Sequence, residues 1–352
     1  MDTRKSFIEE LGKLKALLSS PKKIVITTHH KPDADALGSS LAMWAYLRKK
    51  GHQVRVITPT DYPNFLKWMH GEKEVIIFEA GYQATAQKLV DEADIVFCLD
   101  FSALSRINEL GEIIRKAAAK KVLIDHHLAP EDFADISFSD TSAAATCVLI
   151  FKIIEALGDK KLINKCIGEC IYAGIMTDTG SFRHPSTNKE VHLIVAELID
   201  VAIDISTVHQ LIYDNNSEEK LKFLGNALLN KLIIIKESRV AYIAISAKEL
   251  EAYNSQTGDT EGLVNFALSV DNVVFAAVII ERSDGVKISF RSKGDFSVND
   301  FARNFFNGGG HKNAAGGRSD LSLEETVKTF KELVNAHKDE LNAIDLTGKV
   351  SC

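Results

Sequence analysis

The sequence predicts an α/β protein in two parts: an N-terminal, mainly parallel, doubly wound sheet and a smaller C-terminal α/β domain with a mixed sheet. In the first part, short apolar runs alternate with helical patterns, which is typical of parallel βαβ units. From about Asn230 the pattern changes, since strand-like runs then dominate. This change predicts a second domain.

Five apolar runs predict the strands of the first sheet: Ile24–Thr28, Val54–Thr58, Val75–Phe78, Ile95–Leu99 and Val122–Ile124. A helix over Leu37–Lys49 follows the first strand, and Gly51 just beyond it is a typical helix stop. Helical patterns dominate from Ser142 to about Leu229. The clearest of these helices span Ala143–Leu157 and Leu162–Ile175.

The second domain is predicted from four further strand-like runs: Leu232–Ile235, Val240–Ser246, Val273–Ile280 and Val286–Arg291. Ser322 and Glu325 form a capping-box pattern that marks the start of a final helix. The polar stretch 214–219 precedes a helix that ends near Leu229. We therefore expect a first domain over residues 1–213, a linker helix and hinge over 214–230, and a second domain over 231–345.

Composition narrows the class of protein. The chain has 352 residues, of which 45% are hydrophobic, and no apolar run is long enough to span a bilayer. The N-terminal segment predicts an amphipathic helix rather than a signal peptide, so we expect a cytoplasmic protein without membrane association. The net charge of -6 argues against long duplex DNA as a ligand. Five scattered cysteines are expected to be reduced thiols: Cys98, Cys147, Cys166, Cys170 and Cys352.

The most informative segment is 29–35, His-His-Lys-Pro-Asp-Ala-Asp, which directly follows the first predicted strand. Pro32 prevents the strand from continuing, so the chain should turn and present Asp33 and Asp35 together. Open α/β sheets bind their ligands beyond the carboxyl ends of the strands. His29 and the two carboxylates therefore predict a metal site at this position.

Acidic or histidine residues follow a predicted strand or helix at three other positions in the first domain. Asp100 follows the fourth predicted strand, the triplet Asp125-His126-His127 follows the fifth, and Asp178 follows an apolar helix between glycines. Strands of one parallel sheet share a carboxyl edge, so these side chains should face one crevice. Because so many buried carboxylates would repel one another, cations are expected between them. Mixed carboxylate and imidazole donors suit two ions of Mn²⁺, Fe²⁺, Co²⁺ or Zn²⁺.

These residues together resemble the four motifs of the DHH phosphoesterases, a family named for the triplet. The resemblance implies one ion held by His29, Asp33 and Asp100, and a second held by Asp35, Asp100, His126 and Asp178. It makes Asp100 the bridging ligand, gives catalytic roles to Asp100, Asp35 and His127, and turns His127 toward the substrate phosphate. Mn²⁺ is the expected ion, with Mg²⁺, Co²⁺ and Fe²⁺ as alternatives.

A glycine-rich run in the second domain points to substrate binding. Gly308, Gly309 and Gly310 precede His311, after a predicted helix over Val298–Phe306, and would let backbone N–H groups approach an anion. The run resembles the GGGH motif of the DHH-associated C-terminal domain, in which an arginine matching Arg291 accompanies it. By this resemblance Arg291, the glycines and His311 bind a nucleotide. Arg183 and His184, in the loop after Asp178, are further candidates for phosphate binding.

Two-domain members of this length resemble nanoRNases that also remove the 3′-phosphate of 3′-phosphoadenosine 5′-phosphate, pAp. We therefore expect hydrolysis of short single-stranded oligoribonucleotides and pAp by water activated at two metal ions, with closure of the second domain over the substrate. The main alternative is a cyclic dinucleotide (c-di-AMP) or linear dinucleotide phosphodiesterase. Exopolyphosphatase or pyrophosphatase activity and a non-catalytic nucleotide-binding module are further alternatives, and a homodimer is left open.

Overall fold

The computed structural model of the protein describes residues 3–346. The chain divides into two compact units between Asn215 and Asn216. Within the predicted linker segment, a helix spans Glu218–Asn226, and Phe223 on this helix is buried in an apolar cluster of the second unit. The hinge predicted for this segment stays a prediction.

The first unit is built on one six-stranded sheet. Its strands are β1 (Lys23–Thr28), β2 (Gln53–Thr58), β3 (Ile76–Ile77), β4 (Ile95–Leu99), β5 (Lys120–Asp125) and β6 (Ile136–Ser139). The strand order is β3-β2-β1-β4-β5-β6, and every neighbouring pair is parallel. The predicted parallel sheet is thus confirmed, and it extends to a sixth strand that was not predicted.

Helices cover both faces of this sheet. They are α1 (Thr3–Leu17), α2 (Ala34–Lys49), α3 (Gln83–Asp91), α4 (Glu109–Lys116), α5 (Thr146–Ala156), α6 (Lys165–Asp178), α7 (Lys189–Asp200) and α8 (Ile205–Tyr213). Successive residues of a strand point to opposite faces, so Ile24 and Ile26 of β1 pack into one apolar core and Val25 into another. The sheet is therefore doubly wound, as predicted.

The second unit contains a smaller set of helices around a mixed sheet. Its elements are α9 (Glu218–Asn226), β7 (Leu232–Ile235), β8 (Val240–Ile245), α10 (Ala247–Ala252), α11 (Leu263–Ser269), β9 (Phe275–Arg282), β10 (Gly285–Ser292), α12 (Val298–Phe305), β11 (Gly309–His311), β12 (Ala314–Ser319), α13 (Leu323–Ala336) and α14 (Lys338–Asn342). The strand order is β11-β12-β10-β9-β8-β7, in which β8 and β9 are parallel and the other pairs are antiparallel. The predicted mixed sheet is confirmed.

Aromatic packing and capping stabilise this second unit. Phe275, Phe290 and Phe330 are fully buried, and their ring centroids lie 5.7 to 6.3 Å apart. The predicted capping box begins α13, since the Ser322 hydroxyl accepts from the Glu325 backbone N–H and the Glu325 carboxylate accepts from the Ser322 N–H, both at 3.2 Å. The Phe330 ring therefore packs α13 against the sheet, and the capping box stabilises the start of that helix.

The composition predicts that no segment spans a bilayer and that the cysteines are reduced thiols. Within residues 3–346, none of the helices combines the length and apolar character needed to cross a bilayer. The four cysteines of this described part are unpaired thiols, three of them buried: Cys98, Cys147 and Cys170. Cys352 lies outside the described residues.

Candidate metal centre

The predicted ligands meet at the carboxyl edge of the first sheet. His29 directly follows β1, Asp100 follows β4, and His126 follows β5. These three strands are neighbours in the order β1-β4-β5, so their ends lie side by side. The topology therefore brings together side chains that are nearly a hundred residues apart in sequence.

One group of donors forms around His29. Its Nε2 atom lies 3.4 Å from Asp100 Oδ2 and 3.8 Å from Asp33 Oδ2. Asp33 is the N-cap of α2, and its Oδ1 accepts hydrogen bonds from the N–H groups of Asp35 and Ala36, both at 3.0 Å. Capping thus fixes the Asp33 carboxylate so that its second oxygen faces His29.

A second group forms around His126. Its Nε2 atom lies 3.3 Å from Asp178 Oδ2, 3.4 Å from Asp100 Oδ1 and 3.8 Å from Asp35 Oδ2. Asp178 reaches this group from the last turn of α6. Asp100 therefore takes part in both groups, with Oδ2 facing His29 and Oδ1 facing His126.

Both histidines are oriented through their other ring nitrogen. Nδ1 of His29 donates to the His30 carbonyl at 2.8 Å, and Nδ1 of His126 donates to the Ala143 carbonyl at 3.2 Å. Since a carbonyl oxygen can only accept, Nδ1 carries the proton in each ring and Nε2 is directed at the carboxylates. Metal-ligating histidines are held by the same type of contact.

A residue that was not predicted, Thr146, holds two of the carboxylates. Its backbone N–H donates to Asp35 Oδ2 at 2.6 Å, and the Cys147 N–H donates to Asp35 Oδ1 at 2.9 Å. The Thr146 hydroxyl also donates to Asp100 Oδ1 at 2.8 Å. Because α5 begins at Thr146, its first N–H groups, at the positive end of the helix, bind the buried Asp35 carboxylate.

Asp125, the first residue of the triplet, orients the side chain of His127, the third residue. Nδ1 of His127 donates to Asp125 Oδ1 at 2.8 Å, and the Asp125 side chain is fully buried. The two histidine rings of the triplet are close to perpendicular, with centroids 4.9 Å apart. Asp125 therefore fixes the ring of His127 next to His126.

The backbone at this edge is constrained in two places. Asp100 has a φ of 64°, a left-handed conformation that costs a non-glycine residue roughly 1–2 kcal/mol. Where α2 and α6 cross, a Cβ on Gly174 would lie 2.6 Å from Asp35 Oδ1 and 2.9 Å from Asp35 Cα. Gly174 therefore lets α6 approach the Asp35 carboxylate closely. The strained backbone of Asp100 is held in place by the packing around it.

The buried carboxylates and histidines of this site shift one another's pKa values, some upward and some downward. Burial, with the charges of Asp100 and Asp178, raises the pKa of Asp35 well above its usual value. Burial would also raise the pKa of Asp100, but close contacts with His126 and His29 hold it well below the usual range. Burial opposes protonation of both histidines, yet contact with Asp100 raises the pKa of each. The pKa of Asp178 is raised, chiefly by burial.

The donor set fits divalent metal ions. Two ligand atoms bound to one ion at about 2.1 Å lie roughly 3.0 to 3.4 Å apart, from octahedral to tetrahedral angles. The Nε2-to-oxygen distances of 3.3 to 3.8 Å are near this range and longer than most N–H···O hydrogen bonds. Carboxylates and imidazoles are the donors that first-row divalent metals prefer. The two groups could therefore each hold an ion, with Asp100 between them.

The loop after Asp178 places its two predicted phosphate ligands at the surface. Gly180, Ser181 and Phe182 all have positive φ, from 56° to 64°, so the chain turns sharply here. Arg183 and His184 follow on this turn and are exposed, and Arg183 Nε donates to the Gly180 carbonyl at 2.7 Å. Their role in binding phosphate stays a prediction.

In the second unit, the glycine run forms an edge strand. Gly309–His311 is β11, which pairs with β12 and places His311 opposite Ala314. Arg291 on β10 lies opposite the same Ala314. Since directly opposite residues share a face of a sheet, the Arg291 and His311 side chains lie on one face.

The glycine amides themselves are partly used within the fold. The Gly308 N–H donates to the Ala302 carbonyl at 3.2 Å, and the Gly310 N–H donates to Asn299 Oδ1 at 2.9 Å. These two amides are therefore not free to approach an anion, while the substrate-binding role predicted for the glycine run stays a prediction. The glycine run pairs with the neighbouring strand β12, and the glycine pattern alone does not predict this pairing.

This chain is similar to known proteins over most of its length. Residues 23–175 match the DHH family, N-terminal domain, and residues 238–337 match the DHHA1 domain. The chain is 28% identical over 321 residues to the bifunctional oligoribonuclease and PAP phosphatase NrnA of Thermus thermophilus, covering 90% of each protein. It is 25% identical over 332 residues to the cyclic-di-AMP phosphodiesterase GdpP of Geobacillus thermodenitrificans, covering 92% of this chain and 48% of that protein.

A crystal structure extends the comparison. An exopolyphosphatase-related protein of Bacteroides fragilis is 40% identical to this chain, with a TM-score of 0.90, and the match covers 95% of this chain and 98% of that one. The two domain matches fall in the two units in chain order. From these similarities and the donor groups of the first sheet, the chain belongs to the DHH family of phosphoesterases.

Proposed function

We propose that this chain is a two-metal phosphoesterase that hydrolyses short single-stranded oligoribonucleotides and removes the 3′-phosphate of pAp. The observation that carries the proposal is the sharing of Asp100 between the His29 group and the His126 group. Two-metal sites of this kind are used by phosphatases and nucleases. The comparisons then guide the choice of substrate.

Each donor group has a proposed ion. His29, Asp33 and Asp100 Oδ2 would hold one, while Asp100 Oδ1 and three further side chains would hold the other: Asp35, His126 and Asp178. We propose Mn²⁺ as the native ion, because four of the six ligand residues are carboxylates, the donors that suit Mn²⁺, and only two are imidazoles. When bound, such a pair of ions supplies Lewis-acid activation of water and charge neutralisation at phosphorus.

The remaining residues of the site orient these donors. Thr146 and the N-terminus of α5 hold the carboxylates of Asp35 and Asp100 in place, so little reorganisation is needed during the reaction. Asp125 holds the ring of His127, which we assign to contact with a phosphoryl oxygen of the substrate. Asp35 and Asp100 are proposed as catalytic residues together with His127.

The Arg291 and His311 face is the proposed nucleotide-binding surface of the second unit. A guanidinium can bind phosphate oxygens through two parallel hydrogen bonds, and an imidazole can hydrogen-bond a base or a phosphate. Because the Gly308 and Gly310 amides donate within the fold, we assign recognition to these two side chains rather than to those amides. The glycines instead let this segment lie close to β12, because a Cβ on Gly308 or Gly310 would clash with the β12 backbone.

The extent of the similarity favours an oligoribonuclease and pAp phosphatase over a cyclic dinucleotide phosphodiesterase. The Thermus relative named for oligoribonuclease and PAP phosphatase activity is covered over 90% of its length. The relative named as a cyclic-di-AMP phosphodiesterase is covered over only 48%. The cyclic dinucleotide is therefore the second candidate substrate.

Product analysis with a panel of substrates tests this proposal. The purified chain with Mn²⁺ would be given pAp, 5′-phosphorylated RNA of two and five nucleotides, a long single-stranded RNA, cyclic di-AMP, pyrophosphate and polyphosphate. Asp100→Asn, which keeps the size of the side chain, is the control. We expect AMP from pAp and mononucleotides from the short RNAs, both lost in the control.

Other outcomes would overturn specific parts of the proposal. Turnover of only cyclic di-AMP would select the second candidate, and turnover of only polyphosphate or pyrophosphate would overturn the nucleotide assignment. Equal rates on long and short RNA would contradict the preference for short substrates. Full activity of Asp100→Asn would contradict the assigned metal centre.

A further inference from the structure

A cavity of about 570 Å³ lies in the first unit, beside the C-terminal half of α2. Its walls come from that helix, from the segment 67–74 and from the start of α6. The volume falls within the range typical of small-molecule sites. Trp44 in its wall lies nine residues beyond Asp35 on α2, which at 1.5 Å per residue is about 14 Å along the helix. The cavity is therefore separate from the metal centre.

Both tryptophans of the chain line this cavity. Trp44 is a fixed wall, because Gly71 lies against its ring so closely that a Cβ there would come within 2.5 to 2.9 Å of three ring atoms. The Arg48 guanidinium lies 4.7 Å from the centroid of the same ring. Trp44 is thus covered by protein groups rather than open to a ligand.

Trp68 differs from Trp44 in being only half-buried, and it also lines the cavity. Its Nε1 atom is buried without a hydrogen-bond partner in the described part of the chain, so a ligand would meet the ring rather than this donor. Aromatic side chains stack on planar groups such as a nucleobase. The accessible part of the indole is therefore suited to pack against a planar ligand in the cavity.

The charge around the cavity indicates an anion. Four basic and two acidic residues line it, a surplus of two positive charges in a chain with a net charge of -6. Arg48 pairs with Glu74 at 3.9 Å, and Lys49 donates to the Leu162 carbonyl at 2.9 Å. Lys67 and Lys73 are exposed and have no ion-pair partner among residues 6–346. These two lysines remain to bind a ligand.

We propose that this cavity is an accessory binding site for a nucleoside monophosphate group. The base would pack against Trp68, and the phosphate would bind Lys67 and Lys73. A free mononucleotide and a nucleotide within a short RNA share this chemistry. The site is independent of the proposed function, since it holds none of the metal ligands and its occupancy can be measured without turnover.

Tryptophan fluorescence tests this proposal directly, because both fluorophores line the cavity. AMP, adenosine and inorganic phosphate would be titrated into the Mn²⁺-loaded chain, and the AMP titration would be repeated with Asp100→Asn, in which the metal centre is altered. A 5′-phosphorylated RNA trinucleotide would be titrated into Asp100→Asn only, so that it is not hydrolysed. Lys73→Gln and Lys67→Gln remove one charge each from the exposed rim, where folding should not be affected.

We expect saturable quenching by AMP in both proteins, with adenosine and phosphate each at least tenfold weaker. Each lysine variant should weaken AMP binding about tenfold, the loss expected for one hydrogen bond to a charged group, while its rate of pAp hydrolysis stays unchanged. Quenching by the trinucleotide alone would assign the site to a nucleotide within RNA. The proposal would be overturned by no saturable quenching at millimolar concentrations, or by AMP affinities unaffected by both lysine substitutions.

Discussion

Gly174→Ala tests how closely the metal centre depends on the packing of α6 against α2. The added Cβ would lie 2.6 Å from Asp35 Oδ1, 2.9 Å from Asp35 Cα and closer still to the Cys147 sulfur, whereas ordinary contacts are 3.4 Å or longer. Asp35 must therefore move by roughly 0.5 to 0.8 Å, or α6 must move away. Overpacking of this kind costs about 1–3 kcal/mol of stability.

The expected effect on catalysis is larger than that on stability. Since a displacement of about 1 Å can reduce a rate about 100-fold, we expect kcat/KM for pAp to fall by roughly 30- to 100-fold, or about 2–2.7 kcal/mol. Mn²⁺ affinity, measured by calorimetry, should fall as well. A thermal melt would establish that the variant is folded.

Gly168→Ala is the matched control on the same helix. Its Cβ would meet only side-chain methyl groups, at 2.8 Å from Ile203 and 3.1 Å from Val201. This variant should lose some stability but keep its kcat/KM. The reasoning would be refuted if folded Gly174→Ala retained kcat/KM within threefold of the parent, or if both glycine variants lost activity equally.

Three further predictions address the surroundings of the metal centre. Asp125→Asn should lower kcat/KM about 10- to 100-fold with Mn²⁺ affinity nearly unchanged, because the orientation of His127 is lost; a large loss of metal affinity instead would make Asp125 a ligand. Thr146→Val, which removes the hydroxyl donor to Asp100, should weaken Mn²⁺ binding about tenfold in calorimetry, whereas Thr146→Ser should not. The pKa values of both ligand histidines are raised, so above about pH 6.5 the folded chain keeps protons that the unfolded chain has lost. The stability that these protons contribute is lost as the pH rises further. The Tm in EDTA should therefore fall as pH rises from about 6.5 to 8. Mn²⁺ displaces those protons, so the Tm gain on adding Mn²⁺ should grow over the same range, and a constant gain would contradict this assignment.

The sequence was most informative where strands end. Each predicted ligand that follows a strand in sequence does so in the structure, because a parallel sheet brings the carboxyl ends of its strands to one edge. Strand β6 was missed because Ile136–Ser139 alternates apolar and polar residues over only four positions at an edge of the sheet. Val75 and Phe78 lie outside β3, because short helical turns over Glu72–Glu74 and Phe78–Ala80 flank the two-residue strand.

The contacts that hold the predicted site residues in place were much harder to predict from the sequence. Thr146 falls inside the helix predicted over Ala143–Leu157, whereas α5 begins at Thr146 itself. Its helix N-terminus is bound by Asp35, which is 111 residues away in the chain, so no local capping pattern marks it. The strand formed by Gly309–His311 likewise depends on pairing with β12 rather than on its own sequence. Contacts that span the sequence decide both features.

Anomalous diffraction from crystals grown with Mn²⁺ would test the central claim most directly. The account predicts two manganese peaks at the carboxyl edge of the first sheet, one beside His29 and one beside His126, with an Asp100 oxygen bound to each. A single peak, or two peaks without Asp100 between them, would contradict the shared-carboxylate metal centre on which the proposed function rests.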